Sequence, residues 1–162
     1  MNLTRYNATE LSLFRALLEY KNFPFHLLVL QNPTVHLQVT IDKKVVAYCS
    51  LFKDQNCFGH FWASDKDAGF FLLEALVQEA KEVGPRALRG PMDSSTWFSY
   101  RLVTKSSGGD AFLLEPQNPL WYGALFESLG YVKETMYHST LTSLVSAYDS
   151  RTSRAKARLE KN

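Results

Sequence analysis

Residues 35–63 hold three strand-period runs separated by tight turns, and this block constrains the fold more than any other part of the chain. "VHLQVTI" (35–41) alternates Val35, Leu37, Val39 and Ile41 with more polar residues, so one face is apolar. "DKK" turns the chain and "VVAYCSLF" (45–52) returns. "KDQN" turns it again, and "CFGHFWA" (57–63) completes a meander rich in aromatic residues. The period then switches. In "AGFFLLEALVQEAKEVG", Leu72, Leu73, Leu76, Ala80 and Val83 form a helical apolar stripe, and Gly84 suits the residue after a helix end. A helix crossing over from the third strand lets the next run, "RALRGPM" (86–92), lie parallel to it. The meander, the crossover and the parallel strand together predict an α/β fold with a mixed, mostly antiparallel central sheet flanked by helices.

The flanks extend this pattern. "TELSLFRALLEYKN" (9–22) places Leu11, Phe14, Leu17 and Leu18 at helical spacing, with Thr9 as N-cap. "SSTWFSYRLVT" (94–104) is ambiguous and leans towards helix. "AFLLE" (111–115) reads as a strand. "NPLWYGALFESLG" (118–130) reads as a helix that Asn118 caps, Pro119 opens and Gly130 ends. "YVKETMYHSTLTSL" (131–144) reads as a long final strand. There is no internal repeat. The expected organisation is one domain over 1–144, followed by a basic helical tail or linker over 145–162.

Composition excludes several function classes. At 46% hydrophobic and 14% aromatic, a chain of 162 residues can fill a core. The net charge of +2 argues for no nucleic-acid partner. The charge is uneven: residues 149–162 carry five basic and two acidic side chains, which leaves 13 basic and 14 acidic in 1–148. The expectation for such a tail is a solvated helix or linker. No run reaches the ~18 apolar residues of a membrane span, so no membrane partner is expected. The start "MNLTRYNATE" has no basic-then-apolar signal pattern, which leaves the sequons "NLT" and "NAT" without a secretory context. The two cysteines, Cys49 and Cys57, are expected as free buried thiols on neighbouring strands in a reducing, cytoplasmic setting. His26, His36, His60 and His138 are dispersed, with no metal-ligand spacing, so no metal is expected. "MDSST" (92–96) has no nucleophile-elbow motif around it and reads as a turn or helix cap.

The element order, and "GFFLLEALVQEAKEVG" in particular, resembles the GNAT superfamily of N-acyltransferases. The stretch 69–84 looks like that superfamily's central helix. "FESLGY" (126–131) resembles the family's "YEKLGF" at the junction of last helix and following strand. "RGPMDSST" (89–96) and "NPLWY" (118–122) resemble a less typical branch. There a Gly-Pro-hydrophobic-Asn/Asp segment follows the strand after the central helix, and an Asn-Pro-x-aromatic-Tyr segment opens the last helix. The resemblance covers about residues 35–142.

The resemblance implies a GNAT-like fold and the transfer of an acyl group from acetyl-CoA or another acyl-CoA, as co-substrate, to a small-molecule or peptide amine. It implies that the backbone of Phe61, Trp62 and Ala63 holds the pantetheine arm, and that the amides near Ala68 and Gly69 hold the pyrophosphate. Tyr122 is the candidate acid for the departing thiolate, and Glu115 or His60 the candidate base for the amine. A homodimer or a second domain is left open as partner. Three positions depart from the family pattern. The family's Gln/Arg-x-x-Gly-x-Gly/Ala turn falls on "SDKDAG", where Ser64 replaces Gln or Arg and Asp67 replaces the first glycine. Asp67 is expected to cap the helix itself, with the amides a phosphate would use. The family's tyrosine four residues before the junction glycine is Phe126 here, which has no proton to give. These departures support a second expectation, a non-catalytic GNAT-like module for interaction or regulation that has lost acyl-CoA binding.

Overall fold

The computed structural model describes residues 1–7, 33–82, 87–106, 108 and 115–139. The chain divides into two units, Met1–Val132 and Lys133–Asn162. The first unit is an α/β structure whose described strands form one antiparallel sheet in the order β1-β2-β3-β4. Its strands are β1 (Asn2–Asn7), β2 (Val35–Ile41), β3 (Lys44–Phe52) and β4 (Cys57–Ala63). Its described helices are α1 (Lys66–Lys81) and α2 (Trp121–Ser128). The predicted meander is present over nearly its predicted bounds. In the second unit, residues 133–139 form neither helix nor strand.

The sheet has two unlike faces because side chains alternate along a strand. Val35, Leu37 and Val39 from β2 and Ala47, Cys49 and Leu51 from β3 point to one face. There they join Leu72, Leu73 and Leu76 of α1 in a single core cluster. Each of the three leucines is fully buried, which stabilises the helix on the sheet by about 1.5–3 kcal/mol apiece. Tyr122, Leu125 and Phe126 of α2 complete the cluster.

One strand was not predicted. "NLTRYN" lacks an apolar alternation, yet it pairs along its whole length with β2, from Asn2 opposite Thr40 to Asn7 opposite Val35. Arg5 lies on the α1 side of the sheet, where its guanidinium meets the Glu79 carboxylate at 2.8 Å. Lys53 approaches the same carboxylate at 3.5 Å. The two cations and Arg5's hydrogen bond hold the Glu79 carboxyl below its ordinary range.

Beyond α1 the structure departs from several expectations. Residues 86–92 do not build a full strand among the described residues. Arg89 makes one parallel bridge to Cys57, with Phe58 N donating to Arg89 O at 2.9 Å. The direction is therefore the parallel one predicted, over a shorter length. Residues 94–104 are not a helix. Asp93–Ser99 form a chain of turns closed by an antiparallel bridge between Met92 and Tyr100. Asn118 does not cap α2, whose first residue is Trp121. Its side-chain amide instead pairs both ways with Val103, accepting from Val103 N at 2.8 Å and donating to Val103 O at 3.0 Å. Gly130 ends the helix as predicted, at φ +85. Residues 131–139 are not a strand. The predicted helix 9–22, Val83 and Gly84, most of the strand 111–115, residues 140–144 and the tail 145–162 lie outside the described residues.

Candidate functional site

Two arrangements of polar groups meet along β4. The first lies at its C-terminal end, where the strand hands over to α1. Asp65 is the N-cap: its backbone is extended and its carboxylate accepts from Ala68 N at 2.9 Å. The Ser64 hydroxyl donates to the other Asp65 oxygen at 2.7 Å. These hydrogen bonds pull the Asp65 carboxyl below its usual range, the one from Ala68 most. The cap is therefore Asp65 and not Asp67. The helix begins two residues earlier than the apolar stripe suggests, which places Asp67 in its exposed first turn.

Gly69 is buried at the same corner because two helices and a strand converge on it. A Cβ there would stand 2.7 Å from the Leu125 side chain and 3.2 Å from Ala63 Cβ. From α2, the Tyr122 hydroxyl spans the last residue of β4. It accepts from Ala63 N at 2.8 Å and donates to Ala63 O at 3.2 Å. Burial raises the Tyr122 phenol above its ordinary range, and the Ala63 hydrogen bond opposes this. Phe61 packs edge-to-face on Tyr122 at 4.9 Å and on Phe126 at 5.1 Å. Phe126 stacks on Phe58 at 5.7 Å and is a core aromatic.

The second arrangement lies on the opposite face of the sheet. A register shift opposite Tyr48–Ser50 inserts an extra residue in β4 between the pairs Tyr48↔Trp62 and Ser50↔Gly59. The bulge keeps both Phe58 and Phe61 among core residues. It also sends His60 towards β3, with the strained value φ +48 that non-glycine residues rarely adopt. Ser50 then stands between two imidazoles: its Oγ is 2.9 Å from His36 Nδ1 and 2.7 Å from His60 Nδ1. A hydroxyl has one proton and two lone pairs, so Ser50 donates to at most one of the two rings. His60 Nε2 faces an Asp93 carboxylate oxygen at 3.9 Å. That favours the proton on His60 Nε2 and leaves His60 Nδ1 to accept from Ser50. His36 Nδ1–H in turn donates to Ser50, and the chain runs in one direction from His36 through Ser50 to His60.

Asp93 anchors this chain from outside the sheet. Its Oδ1 accepts from the backbone N–H of His60 at 2.7 Å. Room for it exists because position 59 is glycine: a Cβ there would stand 2.6 Å from Met92 O and 2.8 Å from Asp93 Cα. All four polar residues are buried. Burial lowers the His36 imidazole to about 4, and burial together with the charge on His36 lowers His60 to about 3. Burial raises the Asp93 carboxyl to about 6, partly opposed by the His60 N–H. The His60–Asp93 contact is too long for a hydrogen bond, so the neutral imidazole is the state that satisfies the site.

The structure thus brings together Tyr122, Phe61, Ala63, Ala68 and Gly69 at the β4–α1 corner. His60 and Trp62 share the other face of β4, where Trp62 stacks on Tyr48 at 5.6 Å. Glu115 belongs to a different pairing, with Arg101 Nη2 at 3.4 Å. Both cysteines are free and buried. Among the described residues no cluster of His, Cys, Asp or Glu could hold a metal ion, and no helix is long and apolar enough to cross a membrane. Sequence reasoning missed His36, Ser50 and Asp93. The signal for the first two was their alternation with the core residues of β2 and β3, which marks a second face carrying polar groups. Asp93 carried none, because its partner is a backbone N–H in another segment. Comparison of the chain with protein-family models, with curated proteins and with solved structures finds no match.

Proposed function

We propose that this chain carries a GNAT-like domain that does not take acyl-CoA in that superfamily's manner and works as an interaction or regulatory module. The observation that carries the reading is the Asp65 cap. An acyl-CoA pyrophosphate would need the amides at the start of α1, and the Ala68 amide is already held by the chain's own carboxylate. The Asp65 and Asp67 side chains stand exposed at that helix end. Each would repel a phosphate by about 1–4 kcal/mol at surface-like dielectrics. Tyr122 supports the same reading, since its hydroxyl occupies both polar groups of Ala63, where the resemblance puts the pantetheine.

A second reading, an acyl-CoA-dependent N-acyltransferase, is favoured by one observation: Tyr122, Ala63 and the start of α1 meet at a single corner. On that reading acyl-CoA displaces the Tyr122–Ala63 pairing, Tyr122 protonates the thiolate, and Glu115 or His60 takes the amine proton. Calorimetry with acetyl-CoA and a longer acyl-CoA separates the two. The module reading expects no heat and no thermal shift at millimolar ligand. Saturation at 100 times a dissociation constant would stabilise the fold by ~2.7 kcal/mol and would overturn it. In that case Asp67→Gly should tighten binding, and Tyr122→Phe should slow turnover without weakening binding.

A further inference from the structure

No further inference is drawn: the strongest candidate, the buried His36–Ser50–His60–Asp93 side-chain cluster on the sheet face opposite α1, taken as a pH-sensitive latch on the 92–100 turn segment, belongs to the site already described, and only the titration of its own groups would work it as a switch.

Discussion

Lowering the pH from 7 to 5 tests the buried imidazole chain directly. His36 and His60 protonate near 6.5 in the unfolded chain but only near 4 and 3 in the folded one. Below pH 6.5 the unfolded state therefore binds more protons, and stability falls as the pH falls. Between pH 7 and 5 each histidine costs just under ~2 kcal/mol by this linkage. Asp93 acts in the opposite direction. Its folded carboxyl titrates near 6, above the unfolded value of 3.8, so it takes up its proton first in the native state. It returns about 1 kcal/mol over the same interval, leaving a net loss of roughly 2–3 kcal/mol. Glu79 and Asp65 are held below their ordinary range, so their contributions fade only under more acid conditions. At ~2–4 °C per kcal/mol for a chain of this size, the thermal midpoint should drop by about 5–10 °C. Urea unfolding at the two pH values measures the loss. Imidazole carbon shifts of the native protein show whether both rings stay neutral at pH 5. A His60–Asp93 ion pair would make the opposite prediction, because protonation would then tighten the site. Stability that holds or rises from pH 7 to 5, or either ring titrating near 6.5 in the folded protein, would refute the neutral chain.

Three further outcomes follow from the geometry. Gly59→Ala drives a Cβ to 2.6 Å from Met92 O and should cost ~2 kcal/mol or more, read as a lowered urea midpoint and weakened protection of the His60 amide. Asp65→Ala removes the α1 cap and should lower stability by about 1 kcal/mol; Asp67→Ala, which removes no cap, should leave the urea midpoint nearly unchanged. Tyr122→Phe leaves Ala63 N–H without its acceptor and should cost about 1–3 kcal/mol, measured by chemical denaturation with the slope checked for constancy.

Strand-period alternation and the turns between the runs sufficed to place β2, β3 and β4, because each of their faces meets a uniform environment. α1 was legible for the same reason: its stripe is buried by one flat surface, and Leu72, Leu73 and Leu76 all point into it. β1 was not legible. Its residues are mostly polar on both sides, and it is a strand only because β2 offers an edge to pair with. The segment 94–104 misled for a related reason. Local propensity allowed a helix, but the Asp93 carboxylate bonding to His60 N–H, and the Met92–Tyr100 bridge, dictate turns. Asn118 has the chemistry of a cap and spends it on Val103, a partner 15 residues away in sequence.

The candidate site divides along the same line. Sequence alone determined that β4 runs into a helix whose first turn is acidic, and that Tyr122 lies on a later helix. Both follow from short-range patterning, which the local chain dictates. Only the tertiary structure decided that Asp65 rather than Asp67 holds the first amides, that Tyr122 closes on Ala63, and that His36, Ser50, His60 and Asp93 form one buried chain. Those outcomes depend on a one-residue bulge in β4 and on which donors and acceptors are left over when the strands pair. Such leftovers are set by long-range register, and register cannot be read from any single stretch of sequence.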